Sequence, residues 1–486
     1  MSFKDKFLAA YRSDRVLLGE WIIAIATAVF LFVSVAYVDM ISLTVWSTNV
    51  WDVTFGSNIR HLYEYTAQNV YGIRHTYMGS ELFSVLPWSI WNLPIWAVQK
   101  FAGIPIAESP LMLAWSKLFL VGLSGVLLYY TKKITLLVTG DGKKATWAVF
   151  LSASSLFLYL GVFYAGQNDI IMLVPFVIGL YSLLRGRERG FLVWSMIAIA
   201  IKPFVLLPFL AVLLLYEKKI VKAVLKTLFS VIGVVVQKLL FMGAPLYKES
   251  ISEGPSREMM EEMFSDNMTT AFGKVSFLAI ALVLIYIYCY SRRFGKEDMQ
   301  RQNRLFTQYA VYMVTVTNMA YLMFSPFTFY RLAILVPFLY IVMVQNTQIP
   351  FYNIMLETAM SGSLLVKLGI RGSSSLFRSK IFNGSLLQPL FGYMTLQDKE
   401  GAYESLEAYL KSNGSLLLQF QPLFAGVALV CGVLLLLWNH PEKQWKRPQH
   451  LGTKNCRWVL WARTVMPVPF VLAVLYLFIK APIKIY

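Results

Sequence analysis

The sequence predicts an all-α polytopic membrane protein with about 13 transmembrane helices and a long first extracytoplasmic loop containing juxtamembrane helices. Three observations carry that expectation. Hydrophobic residues make up 57% of the 486 positions and charged residues only 14%, with a mean hydropathy of +0.58; the apolar residues gather in several runs of about 20, which a soluble core does not need. The excess of 18 positive charges lies in short clusters beside those runs rather than on one amphipathic face. That distribution is a topology signal and argues against nucleic acid as a partner. Finally, loop charge and span direction agree step by step along the chain.

Lys4, Lys6, Arg12 and Arg15 place the N-terminus in the cytoplasm. The apolar run from about Val16 to Val38 ends in no small-residue cleavage pattern and reads as a retained first helix. Residues 39–110 form the first outer loop, rich in Trp and Tyr; its most apolar part, LFSVLPWSIWNLPIWAVQKF, holds two prolines and three tryptophans and reads as interfacial or re-entrant helix. A span from Leu111 to Thr131 then returns inward to TKKITLLVTGDGKK, whose lysines require the cytoplasm. Ala145–Ala165 runs outward to GQND (Gly166 to Asp169), and Ile170–Leu184 returns to the basic loop RGRERG.

Between RGRERG and EKKIVKAVLK both flanks are cytoplasmic, so the intervening apolar segment goes in and comes back as two short helices of about 13 residues, each roughly 20 Å long. The hydrocarbon layer is roughly 30 Å thick. The apex, Lys202-Pro203, therefore sits in or just below the outer leaflet, a place tolerated only against protein or water. Further spans follow at Lys226–Met242, Lys274–Tyr290, Phe306–Phe324, Leu332–Gln345, Phe351–Leu368, Gln421–Trp438 and Thr464–Ile479. The chain divides into a module at 1–346 and a C-terminal module at 347–486 with an outer segment at 370–420. Cys289, Cys431 and Cys456 are too widely spaced for a disulfide framework or a zinc motif.

On this topology the polar residues that solubility does not explain converge on the outer side. They are Asp39 at the end of the first helix, Asp52, His61, Glu64 and His75 in the first loop, Gln167, Asn168 and Asp169 in GQND, Lys202 at the apex, and Tyr330-Arg331 after SPF. Each also has a plainer reading. Asp39 and Asp52 suit helix caps, Glu64 suits a helix-face pair with Arg60, GQND suits a polar turn, Arg331 suits a headgroup anchor, and His61 and His75 suit surface hydrogen bonding. Lys202, followed by proline, is awkward to place as a snorkelling lysine. Together the residues suit a substrate with an apolar tail, an anionic head and hydroxyls.

The order of these features resembles the glycosyltransferase-C superfamily, and within it the polyprenyl-phosphate-mannose mannosyltransferase branch with GQ…KP motifs. The likeness rests on an acidic residue after the first helix, an aromatic-rich first outer loop, GQND at the outer end of the third helix and Lys202-Pro203 in a later short helix. It covers most of the first 220 residues. The resemblance implies an inverting transfer of a sugar from a polyprenyl-monophosphate donor to a hydroxyl acceptor, a glycolipid or cell-surface polysaccharide, on the extracytoplasmic face of the plasma (cytoplasmic) membrane. It implies a carboxylate base, matched by Asp39 or Asp52, with no adjacent acidic pair to single one out. Lys202 and Arg331 would hold the donor phosphate, and Gln167, Asn168, Asp169, Glu64, His61, His75 and Tyr330 would bind substrate. No cofactor is required, and no ligand spacing argues for a divalent metal. A polysaccharide polymerase or ligase, or a lipid-linked-saccharide flippase, is the competing expectation; a flippase should show internal repeats and polar groups reached from both sides.

Overall fold

The computed structural model describes residues 15–34, 38–68, 78–103, 110–252, 268–270, 273–294, 304–325, 329–346, 351–370, 419–442 and 457–472. They are helical throughout except for turns and one antiparallel ladder, β1 (Met268–Thr270) on β2 (Gly273–Val275), in which Thr269 faces Lys274. The outer segment expected at 370–420 lies almost wholly outside the described residues.

Among the described residues two helices are long and apolar enough to cross a membrane, Leu111–Thr139 and Ile220–Leu240, and a third span results if Gly142–Ala153 and Leu156–Tyr164, bent by 43°, count as one. Six shorter apolar helices accompany them, so of the expected thirteen spans length and composition support two or three among the described residues. Residues of Ile220–Leu240 such as Val221, Leu225, Leu228 and Leu239 are exposed, as a lipid-facing helix requires.

The helices fall in the expected order, with instructive differences. α1 (Leu18–Ser34) is followed at once by α2 (Val38–Gly56), a helix through the stretch expected as loop. Its buried Thr44, Ser47, Thr48 and Asn49 conceal the apolar periodicity that marks helices in sequence. Thr44 donates to Ser116 at 3.0 Å, Ser116 to Asn92 at 3.1 Å and Asn92 to Ser47 at 2.9 Å, a closed polar seam. A short turn, Ile59–His61, leads to α3 (Leu62–Gln68), then α4 (Leu82–Trp91) and α5 (Leu93–Ala102).

α6 (Pro110–Thr139) continues eight residues past the predicted end at Thr131. Nothing breaks it until Gly140, at φ +67, and Lys133 reaches back over the Tyr129 ring at 5.3 Å. Asp141 then caps α7 (Gly142–Ala153) by accepting from the Lys143 and Lys144 amides. After the 43° bend, α8 (Leu156–Tyr164) leads to α9 (Asp169–Leu184). The two predicted short helices are α10 (Glu188–Ile201) and α11 (Leu206–Tyr216), joined by a 3-10 turn at Pro203–Val205. There follow α12 (Ile220–Ser230), α13 (Ile232–Leu240), α14 (Phe277–Ser291), α15 (Arg304–Phe324), a 3-10 segment at Phe329–Leu335, α16 (Phe338–Gln345), α17 (Phe351–Ile370), α18 (Gln421–Trp438) and α19 (Arg457–Val465).

A helix ends with orphan carbonyls, and hydrocarbon offers no water to satisfy them. Here cations from neighbouring helices and one turn do so. Lys117 donates to Phe32 at 2.8 Å at the end of α1, Arg304 to Val138 at 2.9 Å at the end of α6, Lys144 to Asn346 at 3.0 Å after α16, and Lys218 to Cys289 at 2.8 Å near the end of α14. A cation at a helix C-terminus is also favoured by the helix dipole. Part of the positive charge that reads as a topology signal is therefore internal capping.

Candidate functional site

The site begins with an irregularity that sequence does not reveal. Residues Tyr159–Tyr164 of α8 wind as a π-turn, with the Ala165 amide bonded to Leu160 at 2.9 Å and the Gln167 amide to Gly161 at 3.0 Å. Such turns free backbone groups and cluster at functional places. Gly161 lets the 3-10 segment Phe329–Leu335 approach: a Cβ there would meet the Ala333 Cβ at 2.8 Å and the Tyr330 carbonyl at 3.0 Å. Gly166 reverses the chain at φ +59, and a Cβ on it would lie 3.0 Å from the Met40 side chain. Met40 belongs to the first turn of α2, so the backbone of Asp39 lies at the GQND turn. The Asp39 side chain itself is outside what the structure describes.

Gln167, Asn168 and Asp169 are all buried. Asp169 opens α9 and forms an ion pair through Oδ1 with Lys202. Lys202 closes α10 with extended backbone, φ −145 and ψ 113, because Pro203 disfavours helix in the residue before it. Gln237 of α13 steadies this apex: its Nε2 donates to the Ala200 carbonyl at 2.8 Å while its Oε1 accepts from the Phe83 amide at 2.7 Å.

Two further residues complete the cluster. Phe204 stacks on Tyr321 at 5.2 Å between centroids, and Arg331 donates to the Tyr321 hydroxyl at 3.0 Å. Asp169, Lys202, Tyr321 and Arg331, delivered by separate elements, therefore form one neighbourhood beside the turn that carries Asp39.

The Lys202 side chain is 22% exposed and that of Asp169 2%. Asp169 Oδ2 is buried and has no hydrogen-bond partner among the described residues.

Of the other expected residues, Asp52 lies apart. Asp52 accepts from the Trp96 indole at 2.9 Å and faces Lys100 at 3.8 Å, on α5; twelve residues of helix put it about 18 Å along the axis from Met40. Glu64 does not pair with Arg60, since both its carboxylate oxygens are buried without a hydrogen-bond partner among the described residues. His61 is exposed, its amide bonded to Asn58 at 2.8 Å. His75 lies outside the described residues. Tyr330 is half-buried, its carbonyl against Gly161. Among the described residues no three His, Cys, Asp or Glu side chains are placed to share a metal ion.

Sequence reasoning missed Tyr321, Gln237 and Met40. Gln237, alone in VIGVVVQKLLF, carried a signal, because an amide in an apolar helix needs a partner. Tyr321 and Met40 carried none. Compared with known proteins, the chain matches no family model and no curated sequence.

Proposed function

We propose that this chain is an inverting glycosyltransferase of the C type that moves a sugar from a polyprenyl-monophosphate donor to a hydroxyl acceptor on the outer side of the membrane. The observation that carries this reading is the Asp169–Lys202 pair, set at the apex of two short helices beside Arg331 and the first turn of α2. The reading keeps the N-terminus inside and the topology of about 13 spans, several of them short or broken.

Asp39 is then the base and Asp52, held by Trp96 and Lys100, a structural residue of α2. The Asp39 carboxylate takes the acceptor proton as that oxygen attacks the anomeric carbon. The bond from that carbon to the phosphate oxygen breaks on the opposite face, and its electron pair leaves with the polyprenyl phosphate. The configuration inverts. Negative charge grows on the departing phosphate, where a fixed cation contributes directly to rate. Lys202 and Arg331 supply it, and Gln167 and Asn168 offer amides to the sugar or phosphodiester. The acceptor is a glycolipid or a polysaccharide.

The test is transfer of labelled sugar by the purified protein, from a panel of polyprenyl-monophosphate sugars to a membrane lipid and polysaccharide extract. Label moving from a monophosphate donor supports the reading. Transfer only from diphosphate donors would replace it with a polymerase or ligase, and transbilayer movement of donor without transfer would replace it with a flippase.

A further inference from the structure

We infer that Asp169 is the residue that recognises the donor sugar, accepting one of its hydroxyls at Oδ2, and that the site thereby selects a neutral sugar bearing a hydroxyl at that position. The inference rests on the glycosyltransferase reading and deepens it.

Three facts support it. The Asp169 residue is 1% exposed, so water does not generally solvate its carboxylate. Its Oδ1 is taken by the Lys202 ammonium. Its Oδ2, equally buried, lacks a hydrogen-bond partner among the described residues. A buried carboxylate oxygen left unmatched costs free energy, and buried polar groups in folded proteins are normally satisfied by protein, water or ligand. An ionised carboxylate only accepts, so what completes it is an O–H or N–H donor.

Position decides which one. A phosphate on the Lys202 ammonium carries its sugar one ester bond away, and because that ammonium is bonded to the other oxygen of the same carboxylate, the sugar ring is brought to the neighbourhood of Oδ2. A donor hydroxyl therefore reaches Oδ2 while the phosphate sits on Nζ. A uronic acid would instead set its carboxylate against that of Asp169, and like charges in a buried site repel. The same geometry makes Asp169 a tether for Lys202, so a structural role must be separated from recognition.

The experiment pairs Asp169→Asn with monodeoxy analogues of the best wild-type donor and compares kcat/KM for each combination. Removing one specific hydroxyl should slow the wild type by about 10²-fold, the size of one lost hydrogen bond to a charged group. In Asp169→Asn that same deoxy penalty should shrink to a few-fold, while penalties at the other hydroxyls stay unchanged. Parallel losses for every donor would overturn the inference, leaving Asp169 as a tether only, with the glycosyltransferase reading intact. No transfer by the wild-type protein from any monophosphate donor would overturn that reading and this inference with it. Asp169→Glu keeps the charge with a longer reach and controls for folding; it should retain discrimination at the same hydroxyl.

Discussion

Two buried acid–base pairs in this protein are built alike and finished differently. Arg463 and Glu357 are both 0% exposed at the side chain. The guanidinium donates to the Leu151 carbonyl at 2.7 Å and the Ser154 carbonyl at 3.0 Å, groups freed by the bend between α7 and α8, while Tyr340 and Ser361 donate to the Glu357 carboxylate at 2.7 and 3.2 Å. Among these atoms little is left for a ligand to satisfy. The Asp169–Lys202 pair has the same charges and a similar burial on its acidic side, yet one carboxylate oxygen is unmatched and the ammonium is partly open. The completed pair holds helices together, whereas the incomplete one is, on the proposed reading, where substrate binds. Glu20 and Arg457, each 1% exposed and tying α1 to α19, belong with the first kind.

The largest effect should come from breaking the completed pair. Arg463→Met leaves a buried carboxylate and the bend carbonyls unmatched, and should cost about 3–5 kcal/mol, read as loss of the monodisperse detergent-solubilised protein on gel filtration. Adding Glu357→Gln should recover part of it. If the single variant is as stable as wild type, the bend does not depend on that pair.

Next come the two candidate bases. Asp39→Asn should reduce transfer by at least about 10³-fold, and Asp52→Asn by no more than a few-fold, with both proteins folded. The reverse order would move the site along α2 towards α5. Gly166→Ala tests the turn that joins α2 to GQND. A non-glycine residue at φ +59 beside Met40 costs about 1 kcal/mol, and transfer should fall several-fold; Met40→Ala should relieve the crowding but not the backbone strain. An unchanged rate would mean that the turn does not position Asp39.

The smallest expected effect lies away from both pairs. Glu217, in the turn before α12, is pushed up by burial, but the hydrogen bond from Lys226 at 2.6 Å, the Lys219 amide and the nearby lysine charges outweigh this and hold it below its ordinary value. Its folded value being depressed, it contributes stability above its unfolded pKa, and that contribution fades as pH falls through the folded one. Thermal melts of Glu217→Gln and wild type should converge at acidic pH and differ slightly near neutrality.

Much of the helix order was legible because apolar length and flanking lysines survive in sequence. Lys202-Pro203 was legible for a sharper reason: a charged residue and a helix breaker between two runs too short to span have few comfortable positions. α2 was hidden because polar residues interrupt its apolar inward face, and the α7–α8 bend because its partner, Arg463, is more than 300 residues away in the chain. The role of Arg463 was concealed by the same distance, since a basic residue beside an apolar run reads as a topology signal until its partner is seen. Within the site, GQND and Lys202 announced themselves through polarity in apolar surroundings. Their pairing with each other, and the contribution of Tyr321, exist only in three dimensions.

The most direct measurement compares transfer and stability in the doubly neutral variant Asp169→Asn/Lys202→Met. A pair whose purpose is to bind substrate can lose both charges at little structural cost, because replacing a buried ion pair by neutral groups of similar size is often tolerated. The variant should fold with stability within about 1 kcal/mol of wild type and transfer no sugar above background. Turnover within a few-fold of wild type in the folded variant would contradict the account.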